Sequence, residues 1–310
     1  MSLFTGLSAF PLTPLRDDKI DEFAFVGLIE RLAAAGVDSI TALGSTGSAA
    51  YLSPQERARV ARLAVEQAQD TPVFIGVSGL RTSQVLNHVE SAQQAGAAGI
   101  LLAPMSYQAL TPKDVFELYR TVTEHTALPV IVYDNPATTH FSFTTALYAR
   151  LAELPGIASI KIPGVPLNQA EARARVAAIR RVVPEHVTIG VSGDAFAAAG
   201  LTAGCDAWYS VIGGTLPAAA LRITRAAQSG DVAGAMAASD RLAPLWRLFT
   251  EFGSLRVTAA IAEELGLAPA RCLPLPIQGL DHAQCTRVSG VMEGLGLLAS
   301  GATGDFPAGM

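Results

Sequence analysis

The chain has 310 residues, half of them hydrophobic and only 16% charged, with a formal net charge of -5. A chain of this size can bury a full core. Its acidic balance, with no basic run, argues against a nucleic-acid partner, and no run of 18 apolar residues marks a membrane span.

Residues 1–6 lack the basic and apolar regions of a secretion signal. The three cysteines, Cys205, Cys272 and Cys285, are odd in number and far apart with no CxxC spacing. They read as free thiols in a reducing compartment, so a cytoplasmic location is expected. His88, His125, His140, His186 and His282 are scattered and form no ligand pattern, so no metal is expected.

Taken in order, residues 7–12 predict a first short strand. A helix follows over 21–35, with Phe25, Leu28, Ile29 and Leu32 on one face and Gly36 as its stop. A second strand at 39–43 runs into the tight loop Gly44-Ser-Thr-Gly-Ser48. Ser53 and Glu56 form a capping box around Pro54, starting a helix to about residue 69. The alternation continues with a strand at 73–77, a helix at 82–95 and a strand at 99–103. After the loop 104–108, Thr111 and Asp114 cap a helix that ends near His125. A strand at 129–133 leads to the loop 134–139 and a helix over 142–152. Next come the strand Ile157-Ala-Ser-Ile-Lys-Ile162, a helix at 168–182, a strand at 187–191 and a helix at 194–203. A strand at 207–211 and a helix at 216–228 complete the series.

Eight strand–helix units with short apolar strands predict an α/β fold of the TIM (β/α)8 type. The competing doubly wound sheet lacks its G-x-G-x-x-G fingerprint after the first strand. From about residue 230 the strands stop. Helical patterns over 231–251, 255–265 and 285–298 flank a Pro-rich loop at 268–276. We read residues 1–229 as the barrel catalytic domain and 230–310 as a C-terminal helical extension. Its tail, from 300, is small, polar and loosely held.

Only three lysines occur, and Lys161 alone stands in an apolar strand. Such a lysine either snorkels its amine to water or is functional. In a (β/α)8 barrel the active site lies at the C-terminal ends of the strands. That rule selects Gly44, Ser45, Thr46 and Gly47 from the second strand, Pro104 to Tyr107 from the fourth, Tyr133 from the fifth and Lys161 from the sixth. It adds Ser192, Gly193 and Asp194 from the seventh, and Tyr209 and Ser210 from the eighth.

The chemistry of this set is coherent. Burial lowers a lysine pKa, by up to about 3–5 units in extreme cases, so the free amine that attacks a carbonyl becomes available. The amine then forms a Schiff base, whose protonated form stabilises a carbanion on the adjacent carbon. Tyr133 with Ser45 is of the right type to shuttle the proton. The backbone N–H groups of residues 44–47, with the Ser45 and Thr46 hydroxyls, suit a carboxylate. Each signal also has a plain structural reading. Gly-Ser-Thr-Gly is a common strand-to-helix turn, Tyr133 can be a core aromatic, Asp134-Asn-Pro is turn chemistry, and Ser192-Gly-Asp194 can be a helix cap.

Several motifs occur in order: Phe4-Thr-Gly6 with Pro11-Leu-Thr-Pro14, Gly44-Ser-Thr-Gly47 with Leu52-Ser-Pro-Gln-Glu56, and Tyr133-Asp-Asn-Pro136. Ile160-Lys-Ile-Pro-Gly164 and Ser192-Gly-Asp194, with Gly204 and Ser210-Val211, complete the set. Together they resemble the dihydrodipicolinate synthase / N-acetylneuraminate lyase family of class I aldolases. The resemblance implies that Lys161 forms the Schiff base with pyruvate or another 2-oxo acid and that Tyr133 donates and accepts the proton. Ser45 would take the relay place where the family usually has Thr, and Thr46 would bind the carboxylate. It further implies a homotetramer, a dimer of dimers, with no metal or organic cofactor. Ser48 stands where the family usually has Glu, and Thr138 where its synthases carry an Arg for the second substrate. Either Tyr107 or Ser106 takes the further relay place. Substrate contacts are thus expected from Gly44, Thr46, Gly47, Thr138, Gly193 and Tyr209. The rival expectations are a dehydratase or decarboxylase of a sugar-derived oxo acid on the same fold, and a non-catalytic 2-oxo acid sensor.

Overall fold

A computed structural model describes residues 3–298. Eight parallel strands close into a barrel in sequential order. They are β1 Gly6–Ala9, β2 Ser39–Ala42, β3 Val73–Gly76, β4 Gly99–Leu102, β5 Val130–Tyr133, β6 Ile157–Ile162, β7 Thr188–Ser192 and β8 Ala207–Ser210. Closure joins β1 to β8, with Gly6 beside Ala207 and Ala9 beside Ser210. Asp38 staples this seam: its carboxylate accepts from Leu7 N at 2.7 Å and pairs with Arg225 at 2.7 Å.

The barrel helices are α1 Glu22–Ala35, α2 Pro54–Gln67, α3 Thr82–Ala95, α4 Pro112–His125, α5 Thr145–Ala152, α6 Gln169–Arg180, α7 Ala197–Thr202 and α8 Pro217–Gln228. Their ends follow the sequence signals. Asp21 caps α1 and Gly36 ends it in the left-handed conformation. Ser53 with Glu56, and Thr111 with Asp114, form the expected capping boxes.

Apolar side chains separate into two populations. Phe4, Phe10, Phe74, Leu101, Ile131, Tyr133 and Tyr209 fill the lumen. Val130, Val132, Ile160, Ile162 and their counterparts pack outward against the helices. This is the two-sided burial that makes every strand read as apolar.

Five local expectations are corrected. The first strand ends at Ala9 rather than Leu12. Residues Pro136–Thr139, expected as loop, form one helical turn, and α5 begins at Thr145 behind the Thr144 cap rather than at 142. The helix expected over 194–203 is a 3-10 turn, Asp194–Phe196, followed by α7. The helix expected over 231–251 is two, α9 Val232–Arg241 and α10 Ala243–Phe252, because Pro244 has no N–H to continue the ladder. A short antiparallel ribbon, Leu15–Arg16 with Lys19–Ile20, precedes α1.

Helices α9 and α10, with α11 Ser254–Glu264 and α12 His282–Gly294, lie on the barrel. Val257, Ile261, Val288 and Met292 join the same core as the barrel helices. A separate cluster seats Leu12 and Leu28 against Ala259, Ala262, Cys272 and Leu273. The tail expected to be loose lies outside the described residues. Among the described residues no helix is long and apolar enough to cross a membrane, and no His/Cys/Asp/Glu group is arranged to hold a metal.

Candidate active site

Lys161 faces the lumen because of a one-residue irregularity in β6. Val130 pairs with Ile157, but Ile131 pairs with Ser159, so Ala158 is an extra residue. Counting by twos from the outward Ile157 would turn Lys161 toward the helices. The bulge shifts the phase, so Ser159 and Lys161 point inward while Ile160 and Ile162 point outward. After the shift Lys161 pairs with Tyr133 on the neighbouring strand.

The Lys161 side chain is only 3% exposed. Its Nζ lies 4.0 Å from the Phe10 ring centroid, 4.1 Å from that of Tyr133 and 5.8 Å from that of Tyr209. Burial pulls its pKa below the ordinary lysine value, against the opposing pull of Tyr133 and Asp194. The snorkelling reading is therefore set aside: the amine ends in an aromatic cage, not in bulk water.

Burial pushes the Tyr133 phenol up. The Lys161 charge and the hydrogen bonds with Ser45, Asn135 and Lys161 together outweigh it, and leave the phenol below the usual tyrosine value. The Tyr133 hydroxyl lies 3.0 Å from Ser45 Oγ and accepts from Asn135 Nδ2 at 2.9 Å. The same Nδ2 lies 3.0 Å from Thr138 Oγ1, which brings Thr138 to the edge of the site. Sequence reasoning passed over Asn135, since Asp134-Asn-Pro is ordinary turn chemistry.

The loop after β2 is held tightly. Leu43 and Ser48 flank it with positive φ of 58° and 53°. Gly44 leaves room for Phe10, whose ring would stand 2.8 Å from an added Cβ, and at Gly47 a Cβ would meet Leu43 N at 3.0 Å. Thr46 is buried. The N–H groups of Ser45 and Thr46 go to no backbone acceptor among the described residues.

Asp194 has a larger part than a cap. Its Oδ1 accepts from Trp208 Nε1 (3.1 Å), Ser210 Oγ (3.2 Å) and Val211 N (3.1 Å), and its Oδ2 from Ile212 N (2.7 Å). This buried carboxylate ties the end of β7 to the loop after β8. Beside it, Gly193 is exposed and has a positive φ of 79°.

Two expected residues stand apart. Tyr209 lies deeper than the mouth, its hydroxyl 2.7 Å from Ser159 Oγ, and supports the cage from below. Tyr107 is 91% exposed, on a bend beyond β4. The Tyr133 hydroxyl is met by Ser45 and Asn135, with the Lys161 amine beside it.

A buried amine with a depressed pKa and a hydrogen-bonded phenol in register with it can form an imine and move a proton beside it. Comparison with known proteins agrees with that chemistry. The sequence profile of the Dihydrodipicolinate synthetase family matches residues 3–293. A 4-hydroxy-tetrahydrodipicolinate synthase of Phenylobacterium zucineum is 30% identical over 298 residues, covering 96% of this chain and 99% of that one. One from Anaeromyxobacter dehalogenans is 32% identical over 289 residues, covering 92% and 95%. Among solved structures, a dihydrodipicolinate synthase from Agrobacterium tumefaciens superposes with a TM-score of 0.91. It is 40% identical and covers 94% of this chain and 98% of that one.

Proposed function

Because the chain belongs to the dihydrodipicolinate synthetase family and is a class I, Schiff-base lyase, we propose that Lys161 is the amine that meets pyruvate or another 2-oxo acid. The neutral amine adds to the C2 carbonyl, and loss of water leaves the imine. The iminium then draws electrons from C3, which gives up a proton and becomes an enamine carbon. That carbon forms a C–C bond with a carbonyl electrophile, and water later hydrolyses the imine to free the lysine. Tyr133 carries the proton in these steps and Ser45 relays it. Thr46 and the N–H groups of Ser45 and Thr46 hold the carboxylate of the oxo acid, with Gly44 and Gly47 shaping the loop.

The observation that carries this reading is the direct pairing of Lys161 with Tyr133 across β5 and β6, with both side chains in the lumen. Thr138 gives the second substrate a hydroxyl rather than a cation at the edge of the site. The same reading makes the protein a cytoplasmic homo-oligomer, a dimer of dimers. The apolar composition and the exposed Phe23 and Tyr107 rings support subunit contacts.

The test is to incubate the protein with pyruvate and a panel of 2-oxo acids, reduce with borohydride and map the adduct by mass spectrometry. One reduced adduct on Lys161 is expected, absent in Lys161→Ala. An adduct on another residue, or none with any oxo acid, overturns the assignment.

A further inference from the structure

We propose that Asn135 is a positioning residue for the proton-carrying phenol: its side-chain amide donates to the Tyr133 hydroxyl and so turns the phenol proton away from the loop and toward Ser45 or the amine. This rests on the reading of Tyr133 given above.

Asn135 stands at the N-cap of the turn Pro136–Thr139, yet its side chain makes no capping hydrogen bond. Asparagine at that place ordinarily accepts from the backbone N–H groups of the first turn. Here the side chain forgoes that bond. Its Nδ2 lies 2.9 Å from the Tyr133 hydroxyl and 3.0 Å from Thr138 Oγ1, so both amide hydrogens have hydroxyl acceptors. A primary amide nitrogen only donates. One lone pair of the phenol oxygen is therefore occupied, and the phenol proton is directed toward Ser45 Oγ at 3.0 Å or toward the amine side of the cage. A donor at that place also favours the phenolate, the form that takes a proton from substrate. Thr138 is tied to the same amide, so the outer wall of the mouth and the phenol share one support.

The substitution that isolates this role is Asn135→Asp. It keeps the side-chain shape and the turn propensity but replaces the donating NH2 with an acceptor. Asn135→Leu, which removes the polar group, is the second variant. The readout needs no second substrate: exchange of the pyruvate methyl protons in D2O, followed by NMR against pH, together with borohydride trapping. Both variants are expected to keep the Lys161 adduct. Their exchange should be about 10- to 100-fold slower, with the limb that rises with pH moved about one unit higher, as a tenfold loss of phenolate stabilisation requires. Tyr133→Phe should trap the adduct and lose exchange altogether. Exchange in Asn135→Asp within twofold of the unmodified protein, with an unmoved limb, overturns the role of Asn135 alone. Full exchange in Tyr133→Phe, or no Lys161 adduct in the unmodified protein, overturns the underlying reading and this proposal with it.

Discussion

Asp134 follows Tyr133 in sequence but points away from the mouth, into the packing behind β5. It is 3% exposed and accepts from the Tyr148 hydroxyl through Oδ2. Burial pushes its carboxyl up to about 6, against the Tyr148 hydrogen bond, the field of Arg175 and the Phe143 backbone N–H. The folded state thus holds a proton that the unfolded chain releases near 3.8. Stability from this group is complete below that lower value and is lost as pH rises through about 6. Asp134→Asn imitates the protonated acid. It should raise stability above pH 7 by about 1–3 kcal/mol and flatten the pH dependence between about 4 and 6. Urea unfolding at a series of pH values measures both. An unchanged slope across that window would show that Asp134 is ionised throughout. Lys161 could be singled out from sequence because a lysine in an apolar run is chemically conspicuous. Asp134 and Asn135 could not, because Asp-Asn-Pro is commonplace in turns and only the fold shows where each side chain goes.

At the scale of elements, the loop after β2 depends on a glycine in the next strand. A Cβ at Gly76 would fall 1.9 Å from the Leu43 carbonyl oxygen, an atom of the backbone that opens the Gly44-Ser-Thr-Gly47 loop. Leu43 itself sits at a positive φ, so it has little freedom to withdraw. Gly76→Ala should destabilise the protein by about 1–3 kcal/mol. It should also slow imine formation through displacement of Ser45 and Thr46. Thermal melting and the rate of borohydride trapping read the two effects, and a variant with unaltered melting and trapping would mean that the loop yields freely. The capping boxes and glycine stops of the helices were legible in sequence, being local chemistry within four residues. The Ala158 bulge was not. It is a matter of register between β5 and β6, and it decides which way Lys161 points.

For the whole molecule, the change from strand–helix units to helices alone after α8 does not by itself make two independent folding units. Helices α11 and α12 contribute to the main core, and Leu12 and Leu28 of the barrel find their apolar partners in the extension and the loop beyond α11. Exposing two leucines costs about 1.5–3 kcal/mol each, before the loss of Val257, Ile261, Val288 and Met292 is counted. A fragment of residues 1–229 should bind a hydrophobic dye, unfold without a sharp transition and give no Lys161 adduct. A fragment that melts cooperatively and traps pyruvate would establish the barrel as self-sufficient.

By itself the sequence determined the barrel, through eight short apolar strands alternating with capped helices, and it nominated Lys161, Tyr133 and Ser45 by placing them at strand ends. Those features are encoded in periodicity and residue type, which act locally. Only the tertiary structure decided that a bulge turns Lys161 inward, that Phe10 and Tyr209 complete its cage, that Asp194 bridges the last two strands, and that Asn135 touches the phenol. Each of these is a relation between strands far apart in the chain, or the choice between two directions for one side chain. Both are settled by packing, which a linear pattern does not contain.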